Sequence, residues 1–458
     1  MAREFNFSAN REQSKTSLDS AEVQPKIEGR AFKDSGIEWI GQIPKEWEVN
    51  KIGNLYQVRN EKVSDKDYPP LSVTMNGIVP QLETAAKTNN GDDRKLVCKG
   101  DFAINSRSDR RGSCGVSQYD GSVSLINTIL KPRGSMDPQY YNWLFHTELF
   151  ADEFYRWGHG IVDDLWTTRW QEMKNISIVY PSLPEQQKIA DYLDKVCGEV
   201  DEMVTLQETM IEELKAYKQS VITEAVTKGL NPNVPMRNSG IDWIGEIPEH
   251  WGIIKLGRLF SFQGGFAFKS DGYVAESNNQ VIRIGNVKNN LLLLDNSPVY
   301  IDDNLAEIAC NYKLREDCIL FTMTGTKGKR DYFFTLLLKK EHLVKNLFLN
   351  QRVGCFIAKD NVCPNYYNYL LKDNGILDCI FFYETGTANQ GNLGIDSISR
   401  TLLQMPPYDE QIQIASYLDT KCSEIDSLIA LKQAKIEELK EYKKSVIYEY
   451  VTGKKEVI

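Results

Sequence analysis

The chain has 458 residues, of which 41% are hydrophobic and 26% charged, and a formal net charge of −9. Such a length suits two or three domains rather than one core, and no stretch approaches the ~20 apolar residues that cross a bilayer, so the expectation is a multidomain cytoplasmic protein. Nine cysteines without a Cys-x-x-Cys pair speak for reduced thiols rather than disulfides or zinc, and the acidic balance speaks against a nonspecific nucleic-acid binder.

In chain order, residues 1–34 read as an N-terminal tail. Its polar start has no signal-peptide core, and Ile27-Glu28-Gly29-Arg30, native or a processing scar, is set aside. A head follows, Ser35-Gly36-Ile37-Glu38-Trp39-Ile40-Gly41-Gln42-Ile43-Pro44-Lys45-Glu46-Trp47, and it returns 204 positions later as Ser239-Gly240-Ile241-Asp242-Trp243-Ile244-Gly245-Glu246-Ile247-Pro248-Glu249-His250-Trp251. This is an internal repeat.

The first body alternates short apolar runs with turn signals, such as Lys95-Leu96-Val97-Cys98 before Gly100-Asp101, and reads as mixed α/β and strand-rich. Arg107, Arg110 and Arg111 gather after the strand-like Phe102-Ala103-Ile104. They suit phosphate contact or guanine reading, although three cations in a turn are equally an ordinary solvated loop. Pro138-Gln139-Tyr140-Tyr141-Asn142-Trp143-Leu144 is a second repeat anchor, returning 226 positions later from Pro364.

From 184 to 229 the pattern predicts a long helix. Ile189, Leu193, Val196, Val200, Met203, Met210, Leu214, Tyr217 and Val221 fall at alternating spacings of four and three, a coiled-coil seam interrupted by Gln207. Pro184 opens the helix and Gly229 with Pro232 stops it after about forty residues, or roughly 60 Å. Residues 230–238 are a linker.

The second copy carries an insertion between Gly257 and Pro364. Lys327, Lys329 and Arg330 follow the strand-like Cys318-Ile319-Leu320, parallel to the first body's arginines. Lys269 closes the run Gln263-Gly264-Gly265-Phe266-Ala267-Phe268-Lys269-Ser270, and Gln390 and Asn392 lie in Gly386-Thr387-Ala388-Asn389-Gln390-Gly391-Asn392. Amide side chains pair with adenine edges and glycine admits close backbone approach, though such runs are also plain turns with core aromatics. His146, His159, His250 and His342 sit in no ligand spacing.

Met405-Pro406-Pro407-Tyr408 nearly spells the Asn/Asp-Pro-Pro-Tyr loop of adenine methyltransferases, but methionine cannot accept from an exocyclic amine. It reads instead as the entry to a second long helix, 409–452, with Ile414, Leu418, Ile425, Leu428, Leu439, Tyr442 and Val446 on its seam and residues 453–458 as a tail. The third anchor repeats 225 positions apart: Glu185-Gln186, Tyr192-Leu193-Asp194 and Ile211-Glu212-Glu213-Leu214-Lys215 return from Glu410, Tyr417 and Ile436. Pairing of the two helices with one another, antiparallel under a pseudo-twofold repeat, buries both apolar faces; a homodimeric zipper is the alternative. Between Pro184 and Thr227 lie ten acidic and four basic residues, and between Asp409 and Thr452 nine and six, so these helices hold the whole net charge and the bodies are free to carry a basic face.

No Walker-type loop, Gly-x-Ser-x-Gly elbow, His-Glu-x-x-His or glycine-rich S-adenosylmethionine turn is present, so no catalytic residues and no metal ligands are assigned. A duplicated Ile-Pro-x-x-Trp head, the entry Pro406-Pro407-Tyr408-Asp409-Glu410-Gln411, and a helix carrying Ile-Glu-Glu-Leu-Lys-x-Tyr-Lys resemble the specificity subunits of type I restriction-modification systems, from Phe32 onward. The resemblance implies an α+β fold: two mixed α/β target-recognition domains, 35–183 and 239–408, joined and held apart by two long helices in an antiparallel coiled coil. It implies a non-catalytic, sequence-specific DNA reader of a bipartite asymmetric site, whose unread spacer is set by helix length. The implied partners are double-stranded DNA, two methyltransferase subunits and restriction subunits. S-adenosylmethionine, ATP and Mg²⁺ belong on those partners and no cofactor on this chain. A stand-alone adenine methyltransferase and a coiled-coil scaffold without DNA binding are the competing readings.

Overall fold

The computed structural model describes residues 30–81, 91–160, 166–387 and 389–457; the first twenty-nine positions of the expected N-terminal tail and Ala388 of the amide-rich run lie outside the described residues. The chain forms two compact units, and the first is built from two separate stretches of sequence. One contains the described residues up to Gln207 together with those from Ala434 on, and the other spans Glu208–Gln433.

The elements that matter for function are, in the first copy, strands β1 (Tyr56–Arg59), β2 (Phe102–Asn105), β3 (Cys114–Val116) and β4 (Asn127–Pro132), then helices α1 (Pro138–Phe145), α2 (Glu148–Arg156) and α3 (Leu183–Lys228). In the second they are β5 (Phe260–Gln263), β6 (Cys318–Thr322), β7 (Thr324–Gly325), β8 (Thr335–Leu337), β9 (Val353–Ala358), α4 (Pro364–Leu370), α5 (Asn374–Phe382), β10 (Thr385–Thr387), β11 (Gln390–Asn392) and α6 (Tyr408–Val451).

In the first unit β3, β2, β4 and β1 form an antiparallel sheet in that order. Helices α1 and α2 cover it through aromatic contacts, with Phe102 and Phe145 rings 5.0 Å apart and Phe145 and Phe150 rings 4.4 Å apart. Asp137 caps α1 ahead of Pro138 by accepting from the Tyr140 N–H at 2.9 Å, and Thr147 caps α2 by accepting from the Phe150 N–H at 3.2 Å. The second unit repeats this plan with β5, β9, β6 and β8. Its longer chain builds a further four-stranded sheet in which Asn279–Ile282 runs parallel to Asn346–Leu349.

The repeated anchors are the joints between body and helix. In each head the two glycines take left-handed backbone, φ 72° and 71° at Gly36 and Gly41 and 76° and 70° at Gly240 and Gly245, which explains why Ser-Gly-Ile-x-Trp-Ile-Gly appears twice. Trp47 donates to Glu185 at 2.8 Å and Trp251 to Glu410 at 3.0 Å. Gln186 is fully buried, donating to the Pro181 carbonyl at 2.8 Å and accepting from the Asp137 N–H at 2.9 Å; Gln411 does the same with Pro406 and Cys363, at 2.9 Å in both bonds. Asp194 accepts from Gln139 and Trp143, and Asp419 from Asn365 and Tyr369.

Within each unit the long helices run antiparallel. In the first, Tyr192 meets Tyr450 with rings 4.5 Å apart while Lys443 reaches both carboxylate oxygens of Asp201 at 2.7 Å. In the second, Lys218 reaches Asp426 at 2.6 and 2.7 Å, and Gly229 closes on Glu410. The fold is therefore two mixed α/β bodies joined by two long antiparallel helices.

The seam differs in detail from strict heptad spacing. Ile189, Leu193, Val200, Val221, Ile414, Leu418, Ile425, Leu439 and Val446 are buried, and Val196, Met210 and Leu214 are half-buried. Met203, Tyr217, Leu428 and Tyr442 are instead exposed, at 51%, 57%, 48% and 52%, while Ile211 and Ile436, off the assigned seam, are buried. A straight helix drifts about 20° per heptad from a 3.5-residue repeat. Near the ends, Ile222, Ala225 and Val226 also enter a core with body residues, so the buried stripe follows two neighbours and not one.

Candidate nucleic-acid interface

In the first body, β2 is buried along its whole length and delivers the chain into the loop that carries the arginines. The Ser106 carbonyl accepts from the Thr168 N–H at 3.0 Å, Arg107 bridges Thr167, and Thr167 exchanges two 3.0 Å hydrogen bonds with His159. Arg107 and Arg110 are exposed on this narrow ladder, Arg110 lying 3.8 Å from Asp109. Arg111 behaves differently. It pairs with Asp152 on α2, and its guanidinium stands 5.8 Å from the Tyr155 ring centre. Tyr155 in turn stacks on Trp166 at 5.7 Å, and the Trp166 indole donates to the Tyr155 carbonyl at 2.9 Å.

The second body builds the same place from other residues. The Met323 carbonyl accepts from the Leu393 N–H at 3.0 Å, then β7 pairs with β11 (Thr324 opposite Asn392) and β11 with β10 (Thr385 opposite Asn392). Lys327 donates to the Gly386 carbonyl at 3.1 Å. Glu384 accepts from the Gly328 N–H at 3.0 Å and from the Tyr332 hydroxyl at 2.7 Å. Burial, then the bond to Glu384, holds the Tyr332 hydroxyl well above its ordinary pKa, so it stays a donor. The hydrogen bond from Thr326 holds Asp331 below its ordinary pKa, so a negative charge remains at the base of the loop.

The structure thus gathers Lys327, Lys329 and Arg330 beside the hairpin that bears Gln390 and Asn392. Lys327, Lys329 and Gln390 are exposed, and Asn392 is half-buried. Arg330 pairs with Asp378 on α5 and lies 5.8 Å from the Phe381 ring centre. Lys269 belongs to a different element. It is exposed at the start of the short turn Ser270–Gly272, beside the packed rings of Phe266 and Phe268, and among the described residues no hydrogen bond or ion pair ties it to the loop. In that same run Gly265 is obligatory, because a Cβ there would sit 2.0 Å from the Asn350 carbonyl oxygen.

Sequence reasoning missed Asp152, Tyr155, Asp378, Phe381 and Glu384. A signal existed: Asp152 and Asp378, and Tyr155 and Phe381, stand 226 positions apart, the offset of the Pro138 and Pro364 anchor. Met405 ends the strand Leu402–Met405 and Tyr408 begins α6, with the Pro406 and Pro407 carbonyls accepting from the first turn. Among the described residues no three His, Cys, Asp or Glu side chains gather into a metal site, and no helix is long and apolar enough to cross a membrane.

Duplicated mixed bodies, each mounted on the junction of two antiparallel helices and each carrying a cation-bearing loop against a small ladder, make this a two-unit protein built twice on one plan. The chain belongs to the type I restriction modification DNA specificity domain family, whose model matches residues 44–216 and 248–441. It is 24% identical over 427 residues to the type I restriction enzyme MjaVIII specificity subunit of Methanocaldococcus jannaschii, covering 90% of this chain and 94% of that protein. Its fold is similar to a solved chain from work on complex assembly and conformational transition of the type I R-M system, with TM-score 0.69, 13% identity, and coverage of 90% of this chain and 99% of that one. It is also similar to the HsdS subunit from Thermoanaerobacter tengcongensis, with TM-score 0.50, 13% identity, and coverage of 90% and 98%.

Proposed function

We propose that this chain is the non-catalytic, sequence-reading subunit of a cytoplasmic DNA methyltransferase and restriction complex, that it reads a bipartite asymmetric site with one half assigned to each unit, and that it scaffolds two methyltransferase subunits and the restriction subunits. On this reading the target-recognition domains are residues 35–183 and 239–408. S-adenosylmethionine, ATP and Mg²⁺ enter with the partners. Arg107, Arg110, Lys269, Lys327 and Lys329 face the DNA as phosphate or guanine contacts, and Gln390 and Asn392 as readers of base edges.

One observation carries the reading. The residues kept between the two copies, Trp47 and Trp251, Gln186 and Gln411, Asp194 and Asp419, make the joints to the long helices, whereas the loops on the two ladders have different residues and lengths. A constant mount with two variable faces suits recognition of two unlike half-sites.

The test is to sequence methylated adenines in cells carrying this chain with its methyltransferase partner, and in cells carrying the partner alone. A bipartite, asymmetric motif that appears only with this chain is the expected result. No new motif, with both proteins intact and associated, would shift the reading to a scaffold that does not bind DNA.

A further inference from the structure

The two loops share one construction that their sequences hide. Each sends an arginine back onto a helix of its own body, where the guanidinium meets an aspartate and, one turn later on the same face, an aromatic ring: Arg111 on Asp152 and Tyr155, Arg330 on Asp378 and Phe381. Both guanidinium-to-ring distances are 5.8 Å. The acceptor helices are in register, since each acid and each ring recurs 226 positions on. The loops are not, because Arg111 lies five residues beyond Ser106 and Arg330 seven beyond Met323, the two residues that accept the equivalent ladder hydrogen bond. Loops of unlike length therefore arrive at the same contact. Arg330 does so with a left-handed backbone, φ 49°, which a side chain other than glycine keeps only where surrounding contacts hold it.

We propose that Arg111 and Arg330 are positioning residues that clamp each loop to its helix, and not contacts to DNA. The inference rests on the DNA-reading assignment above. Each guanidinium already holds a carboxylate and stands over a ring, so a phosphate would compete with the aspartate for its N–H groups. The clamp also ties in the rest of the ladder. Tyr155 carries Trp166, and Phe381 meets Tyr332 at 5.0 Å, whose hydroxyl holds Glu384 at the foot of the hairpin. With the arginine fixed, the loop keeps Arg107 and Arg110, or Lys329, exposed, while Lys327 lies against the hairpin on the Gly386 carbonyl.

The two roles give opposite signs on removing the acid. If the arginine touched phosphate, deleting a nearby carboxylate would strengthen binding; if it is a clamp, the deletion frees the loop and weakens binding. The test uses the full chain with the subunits that purify with it, and a duplex recovered by the wild-type complex from a random-sequence pool, titrated over a salt series. Asp152→Asn and Arg111→Gln are each expected to weaken binding about three- to tenfold. The double variant should be no weaker than either single one, and the slope of log affinity on log salt should not move. Asp378→Asn and Arg330→Gln should behave alike. In each variant the unit left intact is an internal control, because its half of the selected sequence must still be required. Tighter or unchanged binding by Asp152→Asn, or a slope reduced by about 0.9 in Arg111→Gln, overturns the clamp while leaving the DNA reading in place. A wild-type complex that holds selected and scrambled duplexes equally at every salt concentration overturns the DNA reading itself.

Discussion

Gln186 and Gln411 are single side chains on which a joint depends. Each is fully buried and bridges a carbonyl at the entry of its long helix to the backbone N–H at the start of the body helix, Asp137 or Cys363. A leucine in that place leaves a donor and an acceptor without partners in the protein interior, at about 1 to 3 kcal/mol per group. Gln411→Leu should therefore destabilise the chain by roughly 2 to 4 kcal/mol in urea unfolding, whereas Gln413→Leu, on the exposed face two residues later, should stay within about 0.5 kcal/mol. The Glu-Gln pair was legible as a repeated anchor, but its partners were not, because a backbone N–H leaves no mark in a sequence. The same limit hid the clamp. Asp152 and Asp378 follow the anchor's offset, yet their arginines come from loops of unequal length and escape any fixed spacing.

At the scale of the element, the long helices were legible from periodicity and end signals, with Gly229 and Gly453 taking φ 75° and 71° just beyond their last turns. The buried face was only partly so. Strict four-three counting follows one partner, while Val221, Ile222, Ala225 and Val226 share a core with body residues such as Trp251 and Tyr366. The ends of the short body helices add a pH response. Lys372 follows α4, 5.7 Å from the Tyr369 ring centre, and burial, then the nearby Lys218 charge, lowers its pKa to about 8. Asp419 and Asp426 oppose that shift from α6 without cancelling it. The folded state thus releases this proton at lower pH than the unfolded chain, whose lysine titrates near 10.4. Between those values the unfolded chain binds more protons, so the contribution of Lys372 to stability rises with pH from about 8 and levels off above about 10.4. The wild-type midpoint of thermal unfolding, taken relative to Lys372→Met, should climb across that window. A difference that stays flat from pH 7 to 10 would show that Lys372 keeps an ordinary pKa.

For the molecule as a whole, the important fact is that each unit closes its own core with helix segments distant in sequence. Ile189 and Leu193 of α3 with Val446 and Val451 of α6 serve the first, while Val221 and Val226 of α3 with Ile414 and Leu418 of α6 serve the second. The internal repeat made two bodies and two helices legible, but the exchange of helix ends is a property of topology that no local pattern carries. Because the cores are distinct, a change on one ladder should be felt in one half of the recognised sequence only. Gln390→Ala and Asn392→Ala lie on β11 in the second unit, where an exposed or half-buried amide can be removed without opening a core. Loss of a base-edge contact costs about 1 to 3 kcal/mol of discrimination at one position. Methylated-adenine sequencing of cells carrying either variant should then show one half of the motif relaxed at one or two positions, with the other half and the spacing between them unchanged. If both halves relax together, the two units do not read independently; if neither changes, β11 is not a reading strand, and the search moves to the loop that carries Lys327 and Lys329.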